Sequence, residues 1–222
     1  MKEKLRKYGL GAGFLAAFVL WTALVYLVDR RPIGPEGSVV GFAWLNETVH
    51  QWTGVRMSLY IVTDYLSLAP AVVVAVSAFL GLGQWIKRKS LRLVDGSILL
   101  LGGYYLVVMA LYVFFEVVVI NFRPVLIDGA LEASYPSSTT MLVMCVMPVG
   151  ALRLKARIKK PWLKLGVTVV TVTFVAFMVL SRLISGVHWL SDIVGGALLS
   201  SGLVTIYRAA SYDMLCKENA VK

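Results

Sequence analysis

Six long apolar segments alternate with short polar segments along the chain and predict an all-α membrane protein. The apolar segments cover residues 8–28, 59–86, 97–120, 136–152, 163–181 and 189–207. Most of them are close to the roughly 20 residues that a helix needs to cross the hydrocarbon core of a bilayer. We therefore predict a polytopic protein with six transmembrane helices, built as a single membrane domain over residues 1–222.

The segment before the second span has a different pattern. Residues 38–54 mix aromatic and aliphatic side chains with Asn46, Glu47, His50 and Gln51. Such a mixture, with tryptophans among the apolar residues, is typical of a short helix that lies in the membrane interface. His50 could be a ligand or a proton carrier, but the sequence gives it no placed partner, so a solvated interfacial histidine is the simpler interpretation.

Composition and charge narrow the class of protein further. Hydrophobic residues make up 59% of the chain, above the share of roughly one half in soluble domains. The net charge of +10 would favour a nucleic-acid partner only if the cations formed one face, whereas they cluster between the apolar segments. Cys145 lies in an apolar segment and Cys216 in the polar tail, which indicates neither a disulfide nor a metal site. The oligomeric state is not predicted, since lipid-facing and subunit-facing helices look alike.

The basic clusters orient the six spans. An even number of spans places both termini on one side, and the positive-inside rule places them in the cytoplasm with the basic connections at residues 87–92 and 153–164. The polar segments at residues 116–124, 136–140 and 182–192 are then predicted to meet at the external end of the bundle. We expect a multi-pass protein of the cell membrane whose functional site faces outside.

Charged residues in and near the last polar segment suggest a catalytic site. His188 and Asp192 are four residues apart, so on a helix they share one face and the carboxylate can orient the imidazole. Arg123 and Arg182 supply two guanidinium groups, which suit a phosphate or a carboxylate. Ionisable groups this close to membrane spans are functional hypotheses by default.

The start of the fourth span adds an anion site to this picture. Pro136 suits a first helical turn, and the hydroxyls of Ser137, Ser138 and Thr139 lie beside the free amides of the helix start. His188 could attack phosphorus once an anion is held there. The sequence therefore indicates phosphoryl transfer with no metal and no cofactor. The alternative is that these groups only cap helix ends and pair charges at the interface.

The last polar segment resembles the third signature motif of the type 2 phosphatidic acid phosphatase superfamily. That motif reads Ser-Arg, five residues, His, three residues, Asp, and its members here are Ser181, Arg182, His188 and Asp192. The family's first and second motifs are matched in part, by Arg123-Pro124 and Pro136-Ser137. The six-span layout also looks like the membrane branch of that family.

The resemblance implies a role for each matched residue. His188 would be the nucleophile that forms a phosphohistidine, and Asp192 would orient it. Arg123, Ser137 and Arg182 would hold the phosphate oxygens. The family acts on lipid phosphates or on isoprenoid phosphates and diphosphates, typically without a metal, so we expect a membrane lipid phosphate as the substrate.

Two positions depart from the family's pattern. Glu116 stands where the first motif has lysine, and Thr139 stands where the second motif has the histidine that would protonate the leaving group. A threonine hydroxyl is a poor general acid because it titrates far from neutral pH. One phosphate-binding cation and one acid are therefore replaced.

Three interpretations of these departures remain open. In the first, the substrate is an isoprenyl diphosphate, whose phosphate leaving group needs less protonation than an alkoxide, since a phosphate monoester has a second pKa of about 6. In the second, Glu116 is the replacement acid, with its pKa raised by burial; alternatively it only pairs with Arg123 or Arg182. In the third, the protein is a headgroup or phosphoryl transferase, or it binds or transports a phospholipid without hydrolysis. The intact His188 and Asp192 argue against a complete loss of catalytic activity.

Overall fold

The computed structural model describes the backbone of residues 2–220 and the side chains of residues 6–214. The helices within this range are α1 (Lys2–Leu27), α2 (Ala43–Thr53), α3 (Met57–Leu66), α4 (Leu68–Arg88), α5 (Gly96–Val117), α6 (Ser138–Arg157), α7 (Pro161–Ile184) and α8 (Leu190–Ala220). Two short 3-10 helices cover Pro35–Gly37 and Leu91–Leu93. Across the described residues β-structure is limited to isolated bridges, which confirms the all-α fold.

Six helical segments are long and apolar enough to cross a membrane, as predicted. They are Arg6–Leu27, Met57–Arg88, Gly96–Val117, Ser138–Arg157, Pro161–Ile184 and Leu190–Met214. The second span consists of α3 and α4, which meet at Ser67 with little change of direction in the backbone (φ −66°, ψ −11°). Pro70 lies in the first turn of α4, where its missing N–H removes no intrahelical hydrogen bond.

Two predicted helix boundaries are wrong for local reasons. The third span ends at Val117 rather than residue 120, because Val118 leaves the helical region (φ −93°, ψ 87°). The fourth begins at Ser138 and not at Pro136, because Ser137 is the N-cap and its side chain accepts a hydrogen bond from the Thr140 amide. Pro136 therefore precedes the cap and does not open the helix.

Helix α8 lies at the centre of the bundle, with its most extensive packing against α1 and α6. Small residues allow this close approach. A Cβ atom on Gly195 would lie 2.7 Å from the ring of Tyr135, and one on Gly196 would lie 3.1 Å from Thr140 Cγ2. Ser200 Oγ donates to the Met141 carbonyl at 3.2 Å. These contacts fix the start of α6 against α8.

The short helix predicted before the second span is present as α2, and it is attached to α8 by buried polar groups. Asn46 is fully buried; its Nδ2 lies 2.9 Å from Ser191 Oγ, and its Oδ1 accepts from the Ser191 amide at 3.1 Å. His50 is half-buried and its ring lies 5.4 Å from that of Trp189, so the interpretation as a solvated histidine is wrong. Burial lowers the pKa of His50 below its usual value.

The antiparallel packing gives the bundle two different ends. The end that we call the basic end carries the start of α1, the α4–α5 and α6–α7 connections, and the last part of α8. The hydroxyl of Tyr8 donates to Asp213 Oδ2 at 3.1 Å there. The opposite end, which we call the motif end, carries the segments after α5, before α6 and between α7 and α8.

Candidate active site

The three polar segments singled out in the sequence meet at the motif end. Arg123 Nη1, from the segment after α5, lies 3.4 Å from His188 Nε2 in the α7–α8 connection. Arg182 Nη2, near the end of α7, donates to Thr139 Oγ1 in the first turn of α6 at 2.6 Å. Side chains from residues far apart in the sequence therefore face one another across a single site.

A glycine turn places His188 in this site. Gly186 has a positive φ of 69°, and a Cβ on it would lie 1.9 Å from the Gly54 carbonyl oxygen, so this position requires glycine. The Arg56 amide donates to the Ser185 carbonyl at 2.9 Å. The connection between α2 and α3 therefore packs against this glycine turn and stabilises it. His188 comes directly after the turn, and only 3% of its surface is exposed.

Asp192 holds the start of α8 and lies beside His188. Its Oδ2 accepts from the Trp189 amide at 2.9 Å, which caps the helix, and its Oδ1 lies 3.4 Å from Asn121 Nδ2 and from Ser191 Oγ. His188 Nδ1 lies 3.7 Å from Asp192 Oδ2, within ion-pair range but beyond a hydrogen bond. Catalytic hydrogen bonds are often long without substrate and shorten when it binds.

His188 is a neutral imidazole in this environment. Burial lowers the pKa of His188 well below its usual value, and the charges of Arg123 and Arg182 act in the same direction. A guanidinium can only donate, so the nitrogen that faces Arg123 must be the acceptor. This contact assigns the proton to Nδ1, on the side of Asp192, and leaves the lone pair on Nε2.

Arg182 is almost fully buried and only partly satisfied. Its Nη2 also donates to Asp64 Oδ1 at 3.1 Å, and its guanidinium lies 4.8 Å from the ring centroid of Tyr60. Its Nε and Nη1 atoms are buried and have no hydrogen-bond partner among the described residues. A buried donor without an acceptor costs about 1–3 kcal/mol, so these two nitrogens suit an anionic oxygen.

Arg123 also has a carboxylate partner, and a backbone hydrogen bond between the two residues holds that partner in place. Arg123 Nε lies 3.0 Å from Glu132 Oε2, and the Arg123 amide donates to the Glu132 carbonyl at 3.0 Å. The adjacent bridge between Phe122 and Ala133 folds this segment back on itself. The side chains of Glu132 and Asp64 are 43% and 57% exposed. Each carboxylate can therefore turn toward solvent, which leaves its arginine free to bind a phosphate.

A polar cavity of about 520 Å³ opens beside the two arginines. The polar residues that line it are Asp64, Ser67, Tyr112, Glu116, Arg123, Glu132, Ser138, Thr139 and Arg182. Glu116 makes no ion pair with Arg123 or Arg182, so the expectation that it neutralises one of them is wrong. Ser137 is fully buried and caps α6, so its side chain does not line the cavity, whereas Ser138 and Thr139 do.

Comparison with known proteins agrees with this geometry. The PAP2 superfamily matches residues 97–214, more than half of the chain and all three motif segments. The chain belongs to the PAP2 superfamily. The crystal structure of a transmembrane PAP2-type phosphatidylglycerolphosphate phosphatase from Bacillus subtilis is similar, with a TM-score of 0.57 and 21% identity over 92% of this chain and 96% of that one. No curated protein sequence matches the chain.

Membership of the PAP2 superfamily and the shared fold support a membrane phosphatase. The region that matches the superfamily spans α5 to α8 and holds His188, Asp192 and both arginines. Tyr60 and Asp64 lie outside that region, on α3. This PAP2 site therefore combines the superfamily's region with side chains from the amino-terminal half.

Sequence reasoning missed several residues of this PAP2 site. An acid inside an apolar segment is a functional hypothesis by default, so Asp64 carried a usable signal. Glu132 carried none, because its position depends on how residues 122–133 fold back. Asn46 and Asn121 reach Ser191 and Asp192 only through packing between distant segments.

Proposed function

We propose that this PAP2 protein hydrolyses a lipid or isoprenyl phosphate or diphosphate through a phosphohistidine on His188. One observation carries the proposal: buried His188 lies behind the cavity, 3.4 Å from Arg123, and Arg123 lines the cavity together with Arg182, which keeps two buried nitrogens without acceptors. We also propose that the motif end faces outside the cell, since the clusters of lysine and arginine lie at the other end.

Arg123 and Arg182 would be the main phosphate-binding residues. Phosphate oxygens accept hydrogen bonds from Nε and Nη1 of Arg182 and from Arg123, and such charge-assisted bonds are roughly twice as strong as neutral ones. Glu132 and Asp64 give way, because both are partly exposed and can turn to solvent. The hydroxyls of Ser138 and Thr139 line the same cavity and complete the set of donors.

The reaction then proceeds in two displacements at phosphorus. The Nε2 lone pair of His188 forms a bond to phosphorus while the bond from phosphorus to the leaving oxygen breaks. The imidazole becomes positively charged, and Asp192 stabilises that charge and holds the Nδ1 proton. Water next attacks phosphorus and the N–P bond breaks; the phosphate leaves with the two protons of that water, and His188 returns to the neutral imidazole.

The leaving group determines which substrate suits this site. Thr139 Oγ1 accepts a hydrogen bond from Arg182, so its own proton can point to the leaving oxygen, but a hydroxyl does not release that proton near neutral pH. A diphosphate expels a phosphate monoester, whose second pKa of about 6 lets it leave without protonation. We therefore propose an isoprenyl diphosphate as the preferred substrate.

Glu116 remains a candidate for the missing acid. It lines the cavity and, unlike Asp64 and Glu132, forms no ion pair with either arginine. The Glu116 side chain is exposed, so the expected burial of this acid is wrong. Undiminished phosphate release in Glu116→Gln would exclude this role.

The experiment is phosphate release by the purified protein from isoprenyl and glycerolipid mono- and diphosphates, with and without a chelator. The chain has two histidines, so His50→Ala is a matched control for His188→Ala. We expect release to fall by roughly 10³-fold or more in His188→Ala and to persist in His50→Ala. Equal loss in both variants, or full activity in His188→Ala, contradicts the proposal. Release from a monophosphate but never from a diphosphate contradicts the proposed substrate.

A further inference from the structure

A second cavity lies near the basic end, away from the candidate active site. It is a groove of about 520 Å³ whose walls come mainly from α4, α6 and α7, with Ile98 and Leu101 of α5 at one edge. Helices α4 and α7 each pack on α6, and the groove runs between them. Its lining is aliphatic over most of its length, and its charged residues are Arg153 and Arg157.

One face of α6 forms the floor of this groove. Met147, Gly150 and Leu154 recur at helical spacing along that face, and Arg153 and Arg157 follow where the helix ends. Gly150 also sets how closely α4 approaches, since a Cβ there would lie 2.7 Å from Val73 Cγ1. The floor therefore changes from apolar to cationic toward the end of α6.

The two arginines differ in how they are held. Arg153 is half-buried, and its Nη2 donates to Ser97 Oγ at 2.8 Å, which keeps the guanidinium beside the groove. Arg157 is exposed and lies one turn closer to the membrane surface. No acidic side chain lines the groove within the described part of the chain, so its charge is purely positive.

A neighbouring groove provides an internal comparison. It lies between α4 and α5, has a volume of about 620 Å³, and is equally apolar, but no charged side chain among the described residues lines it. Both grooves can accept hydrocarbon. Only the groove that carries Arg153 and Arg157 also offers a counter-charge for a headgroup.

We propose that the α4–α6–α7 groove binds an anionic phospholipid from the leaflet at the basic end. One acyl chain lies along the aliphatic walls, and the phosphate contacts Arg153 and Arg157. Basic pockets between transmembrane helices attract anionic headgroups, and the hydrocarbon parts of arginine side chains can lie along an apolar wall. The proposal does not depend on the proposed phosphatase activity, because the groove and the cavity at the motif end share no lining residue.

The probe is a phosphatidylglycerol with a photoreactive acyl chain, incorporated with the full-length protein into phosphatidylcholine nanodiscs. Labelled peptides are mapped by mass spectrometry, and a phosphatidylcholine probe of the same chain length is the comparison. We expect the phosphatidylglycerol probe to label α6 and α7 residues of the groove in preference to the phosphatidylcholine probe. Each arginine near a membrane surface is worth about fivefold in binding, so the combined Arg153→Gln and Arg157→Gln variant should lose roughly twentyfold.

Two further variants separate charge from shape. Lys159→Gln combined with Lys160→Gln removes the same charge from the same connection, but neither lysine lines the groove, so labelling should persist. Gly166 lines the groove, and a Cβ there would meet nothing within 4 Å, so Gly166→Leu should fill the space and reduce labelling without a charge change.

Three results would overturn the proposal. They are equal labelling of the groove by the two lipid probes, labelling unchanged in the arginine variant, and an equal loss in the lysine variant. Excess glycerol phosphate, which has the headgroup phosphate but no acyl chain, should not displace the lipid; if it does, the site binds free phosphate instead. Thermal unfolding, measured on the same samples, shows whether each variant is folded.

Discussion

The two sides of the candidate active site differ in whether they line the polar cavity and in their match to the expected motifs. The proposed nucleophile side, His188 and Asp192, keeps the third motif intact and does not line the cavity. The proposed leaving-group side, Glu116 and Thr139, lines the cavity and holds both departures from the expected motifs.

Under the proposed mechanism, this difference indicates which part of the site the fold constrains. Asp192 caps α8 as well as facing His188, so a change there would disturb both a helix start and the proposed nucleophile. Thr139 borders the cavity and contacts Arg182, so a changed side chain there would face the proposed substrate. Variation at Thr139 can therefore be accommodated without disturbing His188.

Among the variants that test this difference between the two sides, Asp192→Asn is expected to have the largest effect. The amide can still accept from the Trp189 amide, but it cannot stabilise an imidazolium, and its N–H₂ favours the wrong tautomer of His188. We expect the rate of phosphate release to fall by about 10³-fold with little change in thermal stability. A loss below tenfold would show that His188 does not depend on this carboxylate.

A smaller loss is expected from Arg182→Lys on the substrate side. Lysine keeps the charge but cannot offer two fixed nitrogens to a phosphate while bonding to Asp64 and Thr139. We expect KM to rise and phosphate release to fall by about 10²-fold overall, which corresponds to about 2.7 kcal/mol. Arg56→Lys, at the start of α3, is the control. Equal kinetics for both variants would remove Arg182 from the site.

Thr139→His should restore the histidine that the second motif has at this position. An imidazole here can protonate an alkoxide, so we expect release from lipid monophosphates to rise by about tenfold while release from diphosphates changes by less than about twofold. Thr139→Gln, which adds a similar volume without an acid, is the control. A gain of the same size on both substrate types would mean that leaving-group protonation does not distinguish them.

The smallest effect is the pH dependence. The pKa of His188 is well below the ordinary value of 6.5, so the nucleophile stays neutral as the pH falls from 7 through 6.5. We expect kcat/KM, which reports the free enzyme, to decline only below that window, measured in His50→Ala so that one histidine remains. Below about pH 6.5, His188 binds a proton in the unfolded chain but not in the folded chain. The free energy of unfolding therefore also decreases as the pH falls. A half-maximal rate at pH 6.5 or above contradicts a neutral His188.

The sequence predicted the number of spans and the meeting of the three motif segments. Length and hydropathy alone identify a span, and an even number of spans brings alternate connections to one end. The positions of Arg123, Arg182 and His188 at that end followed from this alternation, and the structure places them together.

Details that depend on tertiary packing were not predictable. Glu132 reaches Arg123 because residues 122–133 fold back on themselves, and Asp64 reaches Arg182 because α3 packs on α7. Periodicity could not show that Ser137 faces the bundle as a cap, since this depends on where α6 begins. The first two misses concern backbone packing that periodicity does not encode, and the third concerns the direction of one side chain.

The most direct test of the central claim is to trap the phosphorylated enzyme. The protein is mixed with an isoprenyl diphosphate labelled in its terminal phosphate, quenched in alkali within one turnover, and digested for mass spectrometry. We predict an acid-labile label on the peptide that contains His188, present in wild type and in His50→Ala and absent from His188→Ala. Label on any other residue, or turnover that persists in His188→Ala without a labelled histidine, would contradict His188 as the nucleophile.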